Sequence, residues 1–224
     1  MLWSLYFGLL ALVLRHVAAS TLYLDPQTGL TFASDEKIYM NDKQGIIYRF
    51  AIPDGIDSTA TPYDTVIQIV APREVTWAGL AFGGTMDKCP LFVAYRSNGG
   101  QQAVTGSIRW APGHQAPVPY TGANYTVYKE GTKSNNTHWQ ITARCTGCTS
   151  WIPEKNAATK YMRFTGSNRV AMAMGLKPVA NPNSNTSDID YHYMHAYWDA
   201  DFKMATNANF TTTVQKLKGF EATS

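Results

Sequence analysis

The sequence predicts an all-β protein, and an antiparallel β-sandwich is its simplest form. Short runs in which apolar and polar residues alternate recur along the chain, as in strands with one buried face. Clusters of Asn, Gly, Pro, Ser and Thr separate these runs, as turns do. Helical periodicity is nearly absent. We therefore expect one sandwich domain over residues 20–224.

The candidate strands follow one another closely. In residues 46–52, isoleucine and aromatic residues alternate with other types, and residues 138–145 show a period of two, apolar inward and polar outward. Further candidates are TVIQIVAP (65–72), LFVAYR (91–96), AVTGSIRW (103–110), YTVYKE (125–130) and RVAMAMGL (169–176). Residues 202–217 could hold a turn or two of helix, although Thr211–Thr213 are poor helix formers. We expect the last residues, 219–224, to be a frayed tail.

The first nineteen residues differ from the rest of the chain. An apolar run from Leu2 to Leu14 is followed by the small residues Val17, Ala18 and Ala19, just before Ser20. This pattern is typical of a cleaved secretory signal, and the run is too short to span a bilayer. Its only early charge is the amino terminus, so an uncleaved anchor is the alternative. We expect a secreted, extracellular protein with no membrane attachment after cleavage.

Composition narrows the possible partners. Of 224 residues, 45% are hydrophobic and 16% charged, which indicates a globular chain. A net charge of +3, scattered along the sequence, does not favour nucleic acid. We expect a monomer with no nucleic-acid partner. Four N-x-[S/T] patterns give modest support for secretion and predict glycosylation at Asn124, Asn135, Asn185 and Asn209.

Three cysteines are present. Cys145 and Cys148 lie in RCTGCTSW, and in an oxidising compartment a disulfide between them is the default. Covalent haem attachment would need a histidine where Thr149 stands, and a zinc site would need two further ligands. Cys89 is the odd cysteine, for which we expect a buried free thiol.

Met86 is the most informative methionine. It follows Gly83-Gly84 at the end of an apolar run, so the backbone can turn and place Met86 in a loop, where its thioether could face a cofactor. Core filling is the alternative for any methionine, and it is the expected role of Met172 and Met174 in their strand candidate.

The late segment YHYMHAYW supplies histidines. His192 and His195 are three residues apart and should point to opposite faces of a strand. The face of His192, which includes Met194 and Trp198, is slightly more apolar. Methionine and histidine together are the axial pair of an electron-transfer haem. His138, on the polar face of its strand, is expected to be solvated.

Other active-site patterns are missing from the sequence. It contains no G-x-S-x-G, no H-E-x-x-H and no phosphate-binding loop. Four aspartates near residues 188–201 lack the spacing of a calcium loop and are expected to be solvated.

Four blocks of the chain, taken in order, carry a family resemblance. They are WAGLAFGGTMDKCPLFVAY (77–95), RWAPGHQAPVPYTG (109–122), THWQITARCTGCTSW (137–151) and HYMHAYWDADF (192–202). The chain resembles the cytochrome domain of fungal cellobiose dehydrogenase, a relative of the DOMON sandwiches. The resemblance implies an immunoglobulin-like antiparallel β-sandwich with a pocket for one non-covalent haem b. It assigns the iron ligands to Met86 and His192 and the disulfide to Cys145 and Cys148. Further cofactor contacts are expected from Gly83, Gly84, His114, Tyr120 and Trp198.

The chain also departs from the family pattern. His114 stands where the family has a tyrosine near the haem edge, His195 stands where it has an aromatic residue, and Cys89 has no counterpart. No G-x-G-x-x-G motif for a flavin domain is present, so we expect another molecule to reduce the haem.

The resemblance implies a carrier of single electrons. The expected donor is a flavin-dependent sugar oxidoreductase, and the expected acceptors are a copper lytic polysaccharide monooxygenase, ferric iron or a quinone. A haem-free, DOMON-like sandwich that binds carbohydrate or protein is the alternative. For a third possibility, an enzyme with its own substrate site, the sequence offers no constellation of residues.

Overall fold

The computed structural model describes residues 20–39, 44–99 and 102–220. The predicted secretory signal, residues 1–19, and residues 221–224 of the predicted tail lie outside these ranges. Within the described ranges, the model has no helix with the length and apolar character needed to cross a membrane.

The regular secondary structure of the described residues is almost entirely β, as predicted. The strands are β1 (Thr21–Leu24), β2 (Thr31–Tyr39), β3 (Gln44–Pro53), β4 (Thr65–Pro72), β5 (Trp77–Ala81), β6 (Pro90–Arg96), β7 (Val104–Trp110), β8 (Val118–Pro119), β9 (Asn124–Val127), β10 (Lys133–Ser134), β11 (His138–Thr146), β12 (Ser150–Trp151), β13 (Lys160–Tyr161), β14 (Ser167–Gly175), β15 (Met194–Asp201) and β16 (Thr206–Asn207). A 3₁₀ turn at Phe202–Ala205 and one helix, α1 (Phe210–Lys216), complete the list.

Two large sheets form the sandwich. The first has the order β1-β2-β3-β4-β11-β10, with β9 also on β11 and β16 on β3. The second has the order β15-β14-β5-β6-β7-β8, and β12 and β13 form a small separate pair. Every pairing is antiparallel except that of β16 with β3. The antiparallel sandwich predicted from the sequence is thus confirmed.

The main core lies between the two sheets. Tyr48 of β3 donates its hydroxyl to the Gly79 carbonyl of β5 at 3.2 Å, and its ring lies 5.3 Å from that of Trp198 in β15. Trp139 of β11 is fully buried and donates its indole N–H to the Val75 carbonyl at 2.8 Å. Because successive side chains of a strand point to opposite faces, the longer strands of the second sheet give alternate residues to this core, such as Ala78 and Leu80 of β5 and Met172 and Met174 of β14.

The polar residues of β11 are more buried than the alternation predicts. Gln140 and Thr142 do face away from the core, but both donate side-chain hydrogen bonds to the Gly131 carbonyl, at 2.7 and 2.9 Å. Gln68 of β4 donates to the Thr142 hydroxyl at 3.0 Å. The turn after β9 covers this face, so its polar groups are paired with one another instead of with water.

Helix α1 forms across the three threonines that argued against it. Phe210 and Val214, four residues apart, are both buried against the outer face of the first sheet. Packing of one apolar stripe outweighs a weak intrinsic propensity. The expected frayed tail is also wrong at its start, since Phe220 donates its backbone N–H to Val127 at 2.9 Å and Gly219 forms a bridge to Tyr128.

The predicted cysteine chemistry is confirmed. Cys145 and Cys148 form a disulfide with Cα atoms 5.8 Å apart, and both residues are buried. Cys89 is a buried free thiol, whose Sγ lies 3.2 Å from the Thr85 carbonyl. Burial raises the pKa of this thiol to about 11.

Candidate functional site

Met86 lies in a tight loop, residues 82–89, that joins β5 to β6, as its sequence predicts. A side chain at Gly83 would come within 2.7 Å of the Cys89 Cβ. Gly84 has a φ of +76°, and a side chain there would meet the Arg169 carbonyl at 2.9 Å. Both positions therefore require glycine. Gly83 is needed because there is no space for a side chain, and Gly84 is needed for the same reason and for its positive φ.

Several contacts hold this loop in place. Lys88 donates its backbone N–H to the Ala111 carbonyl at 2.8 Å, and its ammonium lies 3.2 Å from a Glu154 carboxylate oxygen. Met86 is half-buried and packs against a small apolar cluster on the outer face of the second sheet, away from the main core. The buried members of this cluster are Ala81, Cys89, Leu91 and Ala111.

A second long segment, residues 176–193, crosses the same outer face from the other end. We call it the strap. Alternate residues of β7 fasten it: the Thr105 hydroxyl donates to the Pro182 carbonyl at 2.6 Å and the Ser107 hydroxyl to that of Asn185 at 2.5 Å. The buried guanidinium of Arg109 donates to the Ser187 carbonyl at 2.5 Å. These outward-facing polar side chains are therefore used to fix the strap instead of meeting solvent.

His192 lies at the end of the strap, just before β15. Its ring centroid is 4.3 Å from that of Tyr191 and 4.8 Å from that of His195. The prediction that His192 and His195 point to opposite faces of a strand is wrong, because the strand begins only at Met194 and the chain bends at Tyr193. Burial, and then the nearby His195, lower the pKa of His192, so the neutral imidazole is favoured at neutral pH.

The floor between the loop and the strap is made of small residues. Ala171 and Ala173 of β14 are half-buried on the outer face, while their neighbours Met172 and Met174 fill the main core. Ala171 pairs with Ala81 and Ala173 with Gly79 across the sheet. Ala171 packs with the cluster that contacts Met86, whereas Ala173 packs with the cluster under the strap and pairs with His195 on β15.

The two candidate ligand residues therefore belong to one face. Met86 follows the carboxyl end of β5, and His192 lies beside the opposite end, since Tyr193 donates its N–H to the Met174 carbonyl at 2.7 Å. Ala171 and Ala173 lie two residues apart, ~7 Å along the strand. The structure thus brings the loop of Met86, Gly83 and Gly84 and the turn of His192 to opposite ends of one small-residue surface of the second sheet.

The other predicted contact residues differ in position. Trp198 faces the main core, with its ring tilted against that of Tyr48, and so is on the opposite side of β15 from His195. Tyr120 stacks on Trp110 with centroids 4.9 Å apart, and His114 is exposed in the loop after β7. The residues that the sequence analysis missed are the floor alanines and the β7 residues that fasten the strap. Alternating small residues in WAGLA and AMAMG are the signal that could have found the floor.

The remaining predicted features lie at the surface. All four asparagines of the N-x-[S/T] patterns are exposed, and Asn135 accepts three hydrogen bonds from Thr137 and His138. A cavity of about 820 Å³ lies on the other sheet, beside Glu36, Arg73 and His138, and has no part in the face described above. Within the described ranges, no group of three or more His, Cys, Asp or Glu residues could hold a bare metal ion.

Comparison with known proteins decides the family. The family model described as the cytochrome domain of cellobiose dehydrogenase matches residues 23–212 of this chain. The chain belongs to this family. Cytochrome domains of the cellobiose dehydrogenase family bind haem b and transfer electrons to and from redox partners, and the related fungal domains are extracellular.

Two solved structures share the fold of this cytochrome domain. One is the cytochrome b domain of pyranose dehydrogenase from Coprinopsis cinerea, which is 24% identical, with a TM-score of 0.73 over 89% of this chain and 96% of that one. The other is the cytochrome domain of cellobiose dehydrogenase from Myriococcum thermophilum, 20% identical, with a TM-score of 0.77 over 90% of this chain and 98% of that one.

The residues of the outer face of this cytochrome domain suit haem b. A thioether and a neutral imidazole are ligands that low-spin haem iron accepts. The small-residue floor leaves room for a planar group, and the rings of Tyr193 and Tyr197 beside it are 62% and 60% exposed. Exposed aromatic rings next to an alanine-rich face are apolar surface that a flat ligand can cover.

Proposed function

We propose that this chain is a secreted b-type cytochrome in which Met86 and His192 would hold the haem iron. The observation that carries the proposal is the shared face, with the Met86 loop at one end, His192 at the other, and Gly79, Ala81, Ala171 and Ala173 as the floor between them. The family membership supports the choice of cofactor, and the approach of the Met86 loop and His192 to one face supports these two residues as its ligands.

The chain's own residues set the redox chemistry. Held by the Met86 thioether and the His192 imidazole, haem b would supply a one-electron iron couple. The neutral, soft sulfur of Met86 favours the lower iron charge, and the apolar surroundings formed by Ala81, Leu91 and Ala111 act in the same direction. The low pKa of His192 keeps its ring nitrogen available for the metal at neutral pH.

Partners are proposed from the resemblance to the family, and one-electron chemistry is consistent with them. A flavin-dependent sugar dehydrogenase would be the electron donor, and a copper lytic polysaccharide monooxygenase, ferric iron or a quinone would accept the electron. Such redox encounters use small, short-lived interfaces, so we expect weak binding to each partner and a monomer between encounters. Glycans at Asn124, Asn135, Asn185 and Asn209 would fit an extracellular protein, since all four side chains are exposed.

A visible spectrum of the secreted full-length chain tests the proposal. We expect a red protein whose oxidised spectrum changes on reduction to the sharp bands of low-spin haem b. The haem should be extracted by acidified butanone, because no covalent attachment is proposed. A protein that is isolated without haem, and that shows no low-spin haem spectrum after incubation with haemin and removal of the excess, would refute the proposal and support a haem-free binding sandwich.

A further inference from the structure

The predicted processing point coincides with a buried charge. Thr21 of β1 pairs with Ser34 of β2, so Ser20 stands opposite Asp35, one step further along the same ladder. Both residues are buried, with Asp35 only 3% exposed, and the Ser20 hydroxyl donates to Asp35 Oδ1 at 2.9 Å. The residue expected to become the new amino terminus therefore lies against a carboxyl group.

The Asp35 carboxylate has few hydrogen-bond donors and counter-charges around it. Its second oxygen, Oδ2, is buried and has no hydrogen-bond partner among the described residues. The cation beside it, the Lys37 ammonium, lies 3.9 Å from Oδ1 and 4.7 Å from the centre of the Trp198 ring. Burial raises the pKa of Asp35 more than Ser20, Lys37 and Trp198 lower it. The Trp198 N–H lies close enough to contribute, yet meets no oxygen in full hydrogen-bond geometry.

The other groups around Asp35 do not supply the missing charge. Asp201, at the end of β15, donates its backbone N–H to the Ser20 hydroxyl at 3.2 Å, and its carboxylate raises the pKa of Asp35 further. Tyr48 of β3 is the pairing partner of Asp35 in β2, but the Tyr48 hydroxyl donates its hydrogen bond to the Gly79 carbonyl. Near Ser20, the only ammonium that contacts Asp35 among the described residues is that of Lys37, whereas the Asp201 carboxylate disfavours the charged form of Asp35. A further cation beside Asp35 would therefore favour its charged form.

We propose that cleavage before Ser20 supplies this charge, so that the new α-ammonium group pairs with Asp35 and completes the junction of β1, β2 and the end of β15. Hydrolysis adds one water across the Ala19–Ser20 bond: Ala19 leaves with the carboxylate, and Ser20 keeps the amine. That amine takes up a proton, because a free α-amino group has a pKa of about 7.7–8.0. Removal of the leader thus becomes a step that stabilises the mature fold.

The amino group itself gives the most direct test. The full-length chain is secreted from a eukaryotic host, and mass spectrometry should find Ser20 as the first residue. The α-amine is then reductively dimethylated with ¹³C-formaldehyde and cyanoborohydride, which keeps its charge, and titrated by NMR. Its pKa should lie above the ordinary range and return to that range in Asp35→Asn. A first residue other than Ser20, or an ordinary pKa in the unsubstituted protein, would overturn the proposal.

A stability comparison gives the second test. One extra alanine before Ser20 moves the ammonium away from Asp35 without removing it. We expect this extension to raise the unfolding equilibrium constant at least about fivefold, and to have little effect in Asp35→Asn. Asp199→Asn, which removes an exposed carboxylate of β15, is the matched control and should leave the effect of the extension intact.

Two further results distinguish charge pairing from other effects of the extension. An extension that is equally harmful with and without Asp35 would show a steric effect and overturn the pairing. If Asp35→Asn does not fold, the amine titration and the extension in the unsubstituted chain decide alone.

The stability difference between the chain that begins at Ser20 and the extended chain should also depend on pH. It should be full below the ordinary α-amino pKa and should fall as pH rises through the raised pKa of the Ser20 amine. None of these measurements depends on haem, so failure here leaves the proposed function untouched.

Discussion

The imidazole rings of His192 and His195 lie 4.8 Å apart, one edge toward the face of the other, at the outer face of the second sheet. The bend at Tyr193 brings them together, although a straight strand would separate residues three apart. Two imidazoles therefore stand at the place where the proposed function needs one. Experiments must therefore show which of the two rings binds the iron.

Substitution of each histidine distinguishes the two rings. His192→Ala should lose the low-spin spectrum and release haem at least about tenfold more readily, because the ring beside the end of β14 is removed. His195→Ala should keep the spectrum with a modest shift. Absorption and haem transfer to apomyoglobin measure both effects. Retention in His192→Ala with loss in His195→Ala would exchange the two assignments.

Met86→Ala should open the other axial position. Loss of the soft sulfur removes stabilisation of Fe(II), so the midpoint potential should fall by about 60 mV for each tenfold change in relative affinity for the two valences. The oxidised protein should also bind imidazole or cyanide faster. Met204→Ala is the matched control, since Met204 is a half-buried methionine of the 3₁₀ turn. An unchanged potential in Met86→Ala would remove Met86 from the site.

A larger side chain on the floor should block the cofactor but spare the fold. Ala173 is half-buried on the outer face, so Ala173→Leu adds three carbons where the flat ligand is expected to lie. Haem affinity should fall at least tenfold, or about 1.4 kcal/mol, while the far-UV circular dichroism stays unchanged. Ala173→Ser, nearly the same size, should bind normally. Full affinity in the leucine variant would place the haem elsewhere.

Arg109 should matter for the strap. Arg109→Met keeps the apolar stem but leaves the Ser187 carbonyl without its charged donor, at a cost of about 1.5–3 kcal/mol in the free energy of unfolding. Chemical denaturation measures this cost, and hydrogen exchange should rise first in residues 176–193. Arg163→Met, at an exposed position, is the control and should change stability little. Equal losses of stability in both variants would contradict a specific role for the Arg109–Ser187 hydrogen bond.

Cys89 should be unreactive in the folded protein. Burial raises its pKa to about 11, so the thiolate fraction at pH 8 is about a thousandth. Iodoacetamide should modify Cys89 only after denaturation, as followed by mass spectrometry. Because the folded pKa exceeds that of the unfolded chain, this thiol should also lower stability as pH rises above about 9. Rapid labelling of the native protein at pH 8 would contradict the burial.

The sequence predicts the strands better than the parts that surround them. Residues 65–72 and 138–145 form strands nearly as predicted, because their alternation records one buried face. The burial of Gln140 and Thr142 could not be predicted, since it depends on a turn that the chain supplies at Gly131. Helix α1 forms for a similar reason, because its apolar stripe finds the outer face of the first sheet.

The candidate site divides in the same way. The loop position of Met86 follows from Gly83 and Gly84, because these residues admit a turn that other side chains would block. The approach of His192 to His195 depends on where β15 begins, and strand boundaries are the least predictable part of a pattern. Trp198 was expected at the cofactor, but its ring belongs to the core, since the register with Val170 fixes its direction.

The two faces of β14 have different tasks. Met172 and Met174 face the sandwich interior, whereas Ala171 and Ala173 face outward beneath the loop and strap. Because neighbouring positions on the strand serve separate purposes, selection can alter the outward alanines, and with them redox tuning or cofactor choice, without repacking the interior. Such independence would let one scaffold diversify its electron chemistry through single substitutions while its folding stays the same.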